Sequence, residues 1–412
     1  MDDRLLAAIA ATAGTPLYVY DAGAIRARYE ELDAALRART AHCHIHYSVK
    51  ANSSAAILRL LHDLGAGVDV VSGGELRRAL SAGFGPQQIV FSGVGKTPGE
   101  IEGALRAGIG LINVESEGEL ETVGCVAARL QTRARIGIRV NPDVTTETHP
   151  YTQTGERGVK FGVPLDEVLA VARRALELAH LDLMSVGMHL GSQITADAPY
   201  RAGAAKLAAL VAELRAAGVT TLTSLDVGGG LGIAYAAGDP ALDPAAFADA
   251  VTPLHRATGL EIMVEPGRYL VGNAGVLLTQ VLYVKHSGGR RMLIVDAGMN
   301  DLLRPSLYQA VHPIHLVGGA DGAATARVDV VGPICETGDF LGLARQLPPA
   351  EPGALLAVGG AGAYGFTMSS QYNSRPRPAE VLVDGDRWGV IRERESIEDL
   401  VRGEHGTPRW LA

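Results

Sequence analysis

Short apolar runs alternate with longer segments of helical spacing through the first two thirds of the chain. Each run is long enough for one strand, and each intervening segment repeats apolar residues three or four positions apart, as an amphipathic helix does. The predicted strands are His44–Lys50, Val68–Val71, Ile89–Ser92, Leu111–Glu115, Arg135–Val140, Ser185–His189, Ser224–Val227 and Glu261–Glu265. The predicted helices between them include Gly74–Ala82, Pro98–Ala107, Gly118–Leu130, Leu165–Leu178, Tyr200–Ala217 and Pro244–Thr258.

Eight strand-helix units in roughly 230 residues predict a closed α/β barrel, a (β/α)₈ barrel of the TIM type. An open, doubly wound sheet is the alternative, but eight regular units without a long interruption favour closure. Before the barrel, the pattern predicts a helix over Arg4–Ala13, a strand over Leu17–Tyr20 and a second helix over Ala24–Ala38. The segment Val144–Lys160 is long for a loop between a strand and its helix, so we expect a mobile active-site loop there.

Short strand-like runs without regular helices follow Asn273. Glycine and proline separate these runs, which predicts an all-β domain, either a sandwich or a small barrel. We therefore expect a barrel domain at residues 24–272 and a β domain at residues 273–412, which the N-terminal residues 1–23 join through the strand Leu17–Tyr20. The runs are Val276–Lys285, Met292–Asp296, Ala326–Val331, Leu355–Val358, Ala379–Val383 and Trp388–Arg392.

The composition is that of a large globular protein, since 47% of the 412 residues are apolar. The net charge of −8 comes without a block of like charge, which argues against nucleic-acid or membrane-surface binding. The acidic start, Met1-Asp2-Asp3-Arg4, lacks the features of a signal peptide, and no apolar run is long enough to span a bilayer. Cys43, Cys125 and Cys335 are odd in number and scattered, so we expect no disulfide framework and a cytoplasmic location.

Polar residues or glycines end all eight predicted strands. Because the active sites of such barrels lie at the carboxyl ends of the strands, these endings predict a lined pocket. Lys50 has two interpretations: a solvated loop lysine, or an amine whose pKa is lowered by burial until it is nucleophilic toward carbonyls. The endings are Lys50, Asp69 with Ser72, Ser92, Asn113 with Glu115, Arg139 with Asn141, His189, Gly228-Gly229-Gly230, and Glu265.

Two stretches at these endings have candidate ligand chemistry. Gly228-Gly229-Gly230-Leu231-Gly232 is either a tight glycine turn or a nest of backbone N–H groups for an anion. Glu265-Pro266-Gly267-Arg268 is either a structural ion pair or a grip on a ligand that carries both a basic ring nitrogen and an anion.

Two other patterns resemble sites without meeting their requirements. Gly95-Lys96-Thr97 looks like the end of a phosphate-binding loop, but the first glycine of that motif is missing. Thr97-Pro98-Gly99-Glu100 is better explained as the cap of a helix. His42, His44 and His46 share one strand face without enough further ligands for a metal ion, so we predict no metal site.

Further candidates lie in the predicted β domain. Arg304-Pro305-Ser306-Leu307-Tyr308 offers an arginine fork, which suits a carboxylate. Cys335 lies beside Glu336 in a polar stretch flanked by glycines, so we expect a reactive thiol there. Cys125 lies in an apolar run, as a core cysteine does.

Six of these stretches together resemble the fold-type III pyridoxal-phosphate-dependent amino-acid decarboxylases, and among them the diaminopimelate decarboxylases. The resemblance follows the chain in order over nearly its whole length and implies a TIM-like barrel with a C-terminal β domain, as in alanine racemase. Small departures are Ser48, where alanine is commoner, and Gln371, where asparagine is. The stretches are Tyr47-Ser48-Val49-Lys50-Ala51-Asn52, His189-Leu190-Gly191-Ser192-Gln193-Ile194, Gly228-Gly229-Gly230-Leu231-Gly232, Glu265-Pro266-Gly267-Arg268, Cys335-Glu336 and Gly362-Ala363-Tyr364-Gly365.

The resemblance implies a pyridoxal 5'-phosphate site at the mouth of the barrel. Lys50 would bind the cofactor covalently, His189 would stack on its ring, and Glu265 would pair with its ring nitrogen. Asp69 and Pro266 would complete the walls of this site. The phosphate would be held by Ser192, Gly228, Gly229, Gly230, Gly267, Arg268 and Tyr364.

The resemblance also implies a homodimer whose active sites are shared across the interface. Cys335 would donate a proton to the substrate, and Glu336 would bind the distal ammonium group of the substrate; in this family both come from the partner subunit. The residues that would bind the rest of the amino-acid substrate, chiefly its distal carboxylate, are Arg268, Arg304, Tyr308 and Tyr364.

The residue types agree with decarboxylation. A carboxylate such as Glu265 keeps a ring nitrogen protonated, which helps the ring to accept negative charge, whereas an arginine would suit a racemase. Arg304 fits a substrate with an anionic far end, which ornithine and arginine lack. The resemblance therefore implies conversion of meso-2,6-diaminopimelate to L-lysine and CO₂. The alternatives are a decarboxylase of another basic amino acid or carboxylate-tailed diamine (ornithine, arginine or carboxynorspermidine) and a non-catalytic relative.

Overall fold

A computed structural model describes residues 1–146, 154–156, 158–320 and 322–410. The chain forms two compact units. The barrel unit comprises Ala24–Gly272, and the β unit comprises Met1–Gly23 together with Asn273–Ala412. Part of the predicted mobile loop Val144–Lys160, at positions 147–153 and 157, lies outside the described residues.

The barrel unit contains eight parallel strands that close on themselves. The first strand pairs with the eighth, with Cys43 opposite Ile262, and the fourth pairs with the fifth, so the ring has no free edge. The predicted closed barrel is confirmed, and the open doubly wound sheet is wrong. In order, the eight barrel strands are Cys43–Ser48, Gly67–Val70, Ile89–Phe91, Leu111–Val114, Ala134–Asn141, Leu181–Met188, Ser224–Asp226 and Glu261–Val264, and a short strand, Val163–Pro164, pairs with the fifth.

Helices follow the strands and cover the outside of the barrel. Local sequence sets their ends: in the helix that begins at Pro98, the Thr97 hydroxyl accepts a hydrogen bond from the Glu100 N–H, and the Glu100 carboxylate accepts one from the Thr97 N–H. The predicted helix cap is thereby confirmed. The helices of this unit are Ala22–Arg37, Ala55–Asp63, Gly73–Ala82, Pro98–Ala107, Glu117–Arg129, Val168–Glu177, Ala198–Ala216, Pro244–Val251, Pro253–Thr258 and Arg268–Val271.

Three details of the barrel differ from the prediction. The helix predicted over Pro244–Thr258 is two helices, because Pro253 lacks the N–H that a continuous helix would need. Lys50 lies in the 3₁₀ turn Val49–Ala51 just beyond the first strand, rather than at its last position. Cys125 is exposed and Cys43 is buried, so the prediction of a core Cys125 is wrong: the apolar run is a helix that buries only one face.

The β unit is built on one nine-stranded mixed sheet. The early strand Leu17–Asp21 lies between Gly275–Ser287, to which it is antiparallel, and Ala379–Asp384, to which it is parallel. The pattern predicted neither Ile314–Leu316 nor Phe340–Leu347. In the second of these strands Leu343, Ala344 and Gln346 are exposed, and the pairing with Ala326–Val331 is bulged. The remaining strands are Arg290–Val295, Ala326–Val331, Leu355–Val358 and Arg387–Arg392, and the helices are Asp3–Ala13, Arg304–Tyr308 and Ile397–Leu400.

The core of the β unit forms where the central strands face the N-terminal helix. Leu6 and Ile9 of that helix pack in one cluster with Leu17, Leu278 and Val381, all buried. Burial of such side chains is the main stabilising contribution to this arrangement. In the part of the chain that the structure describes, no helix is long and apolar enough to cross a membrane.

Candidate active site

Lys50 lies at the mouth of the barrel above a buried carboxylate. Its ammonium Nζ is 2.9 Å from Asp69 Oδ2 and 3.3 Å from Ser48 Oγ. Ser48 Oγ is in turn 3.2 Å from the same Asp69 oxygen and 3.0 Å from the Glu265 carbonyl oxygen. Asp69 is fully buried, whereas about a third of the Lys50 side chain is exposed. The amine is therefore held in place by Asp69 and remains accessible from the open end of the barrel.

The glycine turn after the seventh strand is packed too tightly for any side chain. Gly228 and Gly230 have left-handed φ angles of 70° and 94°. A Cβ at Gly229 would lie 1.9 Å from the Glu265 carbonyl oxygen. The Gly229 N–H donates to His189 Nδ1 at 3.2 Å. The turn is thus a close contact between the ends of the sixth, seventh and eighth strands, not a flexible loop.

Arg268 supplies the positive charge of this corner. Its guanidinium donates to Ser192 Oγ at 2.9 Å and to the Tyr235 hydroxyl. Gly267 allows its backbone to approach Ala51 closely, since a Cβ at position 267 would be 3.0 Å from the Ala51 Cβ. A buried guanidinium, a hydroxyl and a glycine turn are the groups with which proteins bind phosphate.

His189 is a neutral imidazole. Desolvation, together with the charges of Arg139 and Lys50, lowers its pKa well below the usual value. Because Nδ1 accepts the Gly229 N–H, the remaining proton resides on Nε2. The uncharged ring is suited to packing against a flat aromatic ligand.

Glu265 ends the eighth strand with an unused acceptor. The residue is only 6% exposed, and burial, followed by the charges of Asp226 and Asp69, raises its pKa well above the usual value. Its carboxyl hydrogen-bonds to the carboxyl of Asp226. Its Oε1 atom is buried and has no hydrogen-bond partner among the described residues. Such an orphaned oxygen fits a ligand that brings its own donor.

These residues fit pyridoxal phosphate. The orphaned Oε1 of Glu265 suits a ring N–H, the neutral His189 suits the face of the ring, and the amine of Lys50 suits the aldehyde. The corner of Ser192 and Arg268 beside the glycine turn suits the phosphate. The geometry thus brings together all of the predicted cofactor residues that lie in the barrel unit: Lys50, Asp69, His189, Ser192, Gly228, Gly229, Gly230, Glu265, Pro266, Gly267 and Arg268.

Sequence reasoning missed three polar residues of this site. Asp226 and Ser48 lie on the strands, and Tyr235 lies in the loop after the glycine turn. Arg139, which the pattern predicts as a strand ending, pairs with Glu115 at 3.1 Å. A signal existed for Asp226, because a charge two residues before a glycine turn is unusual inside a buried strand. Tyr235 had no such signal, since its loop carries no periodic pattern.

The predicted substrate residues of the β unit lie on two linked segments. Arg304 is 6% exposed, and its Nη1 is 2.8 Å from His312 Nε2, while His312 Nδ1 is 2.9 Å from the Gly359 carbonyl oxygen. Tyr308 ends the same helix as Arg304. The Ser306 hydroxyl of this helix donates to the Gly338 carbonyl at 2.7 Å, which ties the helix to the loop of Cys335.

The Cys335 loop is braced from inside and exposed outside. Asp339 accepts hydrogen bonds from the Ile334 N–H and the Met299 N–H, both at 2.6 Å. The thiol of Cys335 and the side chain of Glu336 are on the surface of the unit. Tyr364 lies in the turn after the strand Leu355–Val358, with a left-handed φ of 56°.

Among the described residues, no cluster of three or more histidine, cysteine or acidic side chains is arranged to hold a metal ion. His42 and His44 instead both contact the Glu261 carboxylate, at 2.8 and 2.9 Å. Burial lowers the pKa of His46 to about 4, so this histidine is neutral inside the barrel.

Gly229→Ala is expected to weaken binding of pyridoxal phosphate by about tenfold or more, because the new methyl group would displace the Glu265 carbonyl and open the phosphate corner. Gly99→Ala is the matched control, since nothing lies within 4 Å of a Cβ at that helical position. Cofactor affinity is measured by absorbance titration of the cofactor-free proteins. Equal affinities of the two variants would contradict the assignment of the turn to the phosphate.

Comparison with known proteins agrees with this geometry. Residues 22–272 match the family model described as pyridoxal-dependent decarboxylase, pyridoxal binding domain. Diaminopimelate decarboxylase of Pseudomonas aeruginosa is 48% identical over 98% of this chain and 96% of that protein, and the Aquifex aeolicus enzyme is 46% identical over 95% and 92%. The crystal structure of diaminopimelate decarboxylase from Helicobacter pylori complexed with L-lysine superposes with a TM-score of 0.92 at 42% identity, covering 96% of this chain and 98% of that one.

Proposed function

The chain belongs to the pyridoxal-dependent decarboxylases, and from this premise we propose that it decarboxylates meso-2,6-diaminopimelate at its D-centre to give L-lysine and CO₂, the last step of lysine biosynthesis. The observation that carries the reaction type is the buried, unpartnered Oε1 of Glu265 at the barrel mouth that also holds Lys50. The names of the relatives support the choice of substrate.

The barrel unit, residues 24–272, is the proposed cofactor-binding domain. When bound, pyridoxal phosphate withdraws electrons from the substrate Cα and so stabilises the negative charge that loss of CO₂ leaves there. Glu265 accepts the ring N–H and keeps that proton on the ring. His189 packs on the ring face, and Ser192, Arg268 and the glycine turn bind the phosphate, with Tyr364 as the further phosphate ligand from the β domain. Lys50 holds the cofactor covalently.

The β domain, residues 273–412 joined by residues 1–23, supplies substrate recognition and a proton. Arg304 has a fork suited to the distal carboxylate, and His312 fixes its direction. Tyr308 and Arg268 assist in binding this end of the substrate, and Glu336 binds the distal ammonium group. The Cys335 thiol donates the proton that replaces CO₂ at Cα.

We also propose a homodimer in which Cys335 and Glu336 serve the active site of the partner subunit. Both side chains are exposed on the β unit while their loop is held rigidly by Asp339, as expected for residues that complete a site elsewhere. A cytoplasmic location is proposed as well, because all three cysteines are free thiols, which persist in a reducing compartment.

The substrate assignment is tested by measuring CO₂ release from meso-diaminopimelate, carboxynorspermidine, L-ornithine and L-arginine. We expect kcat/KM for meso-diaminopimelate to exceed those for L-ornithine and L-arginine by about a hundredfold or more, because neither of these substrates brings a distal carboxylate to the buried Arg304. Arg304→Met is expected to lower kcat/KM for meso-diaminopimelate by about a hundredfold, the loss of a charge-assisted bond pair.

Arg327→Met, at an exposed arginine of the same unit, is the matched control and should retain full activity. Thermal unfolding of both variants shows whether the buried Arg304 site still folds. CO₂ release from ornithine or arginine without release from meso-diaminopimelate would refute the substrate assignment. Absence of CO₂ from all four, with intact cofactor binding, would favour a non-catalytic relative.

A further inference from the structure

Asp226 is a buried acid that the proposed reaction leaves without a role. It is 3% exposed and points into the barrel from the end of the seventh strand. Its Oδ1 accepts the Gly228 N–H at 2.8 Å, and its Oδ2 lies 3.4 Å from Asn113 Nδ2. Gly187 on the sixth strand makes room for it, since a Cβ there would be 2.6 Å from the Asp226 Cβ. Asp226 is thus placed by the sixth strand beside it and by the glycine turn that follows it.

The carboxyls of Asp226 and Glu265 meet beside the Gly228 peptide group, whose N–H donates to Asp226 Oδ1 and whose carbonyl accepts the Glu265 N–H, both at 2.8 Å. Both carboxyls are buried, and two ionised carboxylates cannot hydrogen-bond to each other, so the pair must hold one proton. Burial raises the pKa of Asp226 to about 6, and burial together with the charge of Asp226 raises the pKa of Glu265 well above its usual value. The charged groups that face the pair are Asp69, Lys50 and Arg139, from the second, first and fifth strands, and the neutral His189 lies nearby.

None of these neighbours is placed to take over that proton. Asp69 is engaged by the Lys50 ammonium at 2.9 Å. Arg139 is a permanent cation that pairs with Glu115, and the amide of Asn113 does not accept a proton at neutral pH. Among the residues that the structure describes, only Asp226 is at once buried, acidic and hydrogen-bonded to Glu265.

We propose that Asp226 is a positioning residue that takes the proton of Glu265 when the cofactor ring binds. The inference rests on the proposed function, because a ring N–H must face Glu265. The O–H bond at Glu265 breaks, an O–H bond forms at Asp226, and the charge of the pair stays at −1. Glu265 then accepts two hydrogen bonds as a carboxylate, one from the ring and one from the protonated Asp226.

This arrangement keeps the Glu265 carboxylate ionised although it is buried. A lone buried carboxylate at this position would remain protonated and would offer the ring no negative charge. A second acid within hydrogen-bonding distance removes that obstacle, because the proton leaves Glu265 without leaving the site. The hydrogen bond that the Gly228 N–H donates to Asp226 Oδ1 also links the glycine turn, through Asp226, to the carboxyl of Glu265.

The test is infrared spectroscopy of the carboxylic-acid C=O band, in H₂O and D₂O, on cofactor-free and pyridoxal-phosphate-loaded protein. Wild type is compared with Asp226→Asn, which keeps an acceptor for the Gly228 N–H but cannot take a proton. Ser92→Ala is the matched control, since Ser92 bonds to Asn113 and not to the acid pair. We expect loaded wild type and loaded Ser92→Ala to show one acid equivalent that loaded Asp226→Asn lacks.

Loading should shift this band in the wild type without loss of intensity, because the proton changes carboxyl groups. Equal acid bands in loaded wild type and loaded Asp226→Asn would overturn the proposal. If Asp226→Asn does not bind the cofactor, the proposal is tested on the wild type alone. Loss of one carboxylic-acid equivalent on cofactor loading would likewise overturn the proposal, and retention of that equivalent supports the proposal. A wild type that takes up no pyridoxal phosphate would instead contradict the proposed function itself.

Discussion

Lys50→Ala is expected to lower turnover of meso-diaminopimelate by about a thousandfold or more, since it removes the amine proposed to bind the cofactor aldehyde covalently at the barrel mouth. Folding should persist, because about a third of the side chain is exposed and its removal leaves no fully buried cavity. The variant frees the Asp69 carboxylate of its ammonium partner, so a modest loss of thermal stability is expected as well.

Borohydride reduction followed by peptide mapping distinguishes this loss from unfolding. In the wild type, reduction should fix the cofactor on Lys50; in Lys50→Ala, no peptide should carry it. Lys285→Ala is the control, because Lys285 is an exposed lysine of a β-unit strand. Full turnover by Lys50→Ala would overturn the proposed role of this lysine.

Cys335→Ala is expected to lower kcat by about 10² to 10⁴, the usual contribution of a positioned proton donor, while KM changes little. The backbone bond from the Cys335 N–H to Asn373 Oδ1, 2.8 Å long, does not involve the thiol and should survive the substitution. Steady-state kinetics on meso-diaminopimelate give the two constants separately.

Cys125→Ala is a close control, since Cys125 is also an exposed free thiol but lies on a barrel helix. It should retain full kcat. The two variants together also identify the target of alkylation: iodoacetamide should inactivate the wild type and Cys125→Ala alike. If iodoacetamide inactivated the wild type but not Cys125→Ala, the sensitive thiol would be Cys125 and not Cys335.

The barrel could be predicted because each of its strands is buried as a separate apolar run between helices. Strand ends such as Lys50, His189 and Glu265 are recognisable because an apolar run meets a polar residue there, so the rim of the pocket could also be predicted. The seventh strand is only three residues long, Ser224–Asp226, and too short for any periodicity. The sequence pattern therefore predicts Asp226 as part of the strand rather than of the site.

Contacts between residues far apart in sequence could not be predicted from such local patterns. The pairing of Arg304 with His312 depends on how the chain turns after a helix of five residues, which no local pattern encodes. The 3₁₀ turn at Lys50 follows from the packing of Gly267 against Ser48 and Ala51, which the fold brings together. The exposure of Cys125 required knowing which face of its helix meets the strands.

The strand Leu17–Asp21 has a consequence for synthesis of the chain. Leu17 is paired with Ala379, so partners more than roughly 360 residues apart in sequence must meet to complete the central sheet. The ribosome will have released the whole barrel before the strand Ala379–Asp384 emerges. The barrel, whose strand pairings are mostly between neighbours in sequence, is then able to fold first. Until Ala379–Asp384 is synthesised, the N-terminal strand has an unpaired edge, which is a binding site for a chaperone.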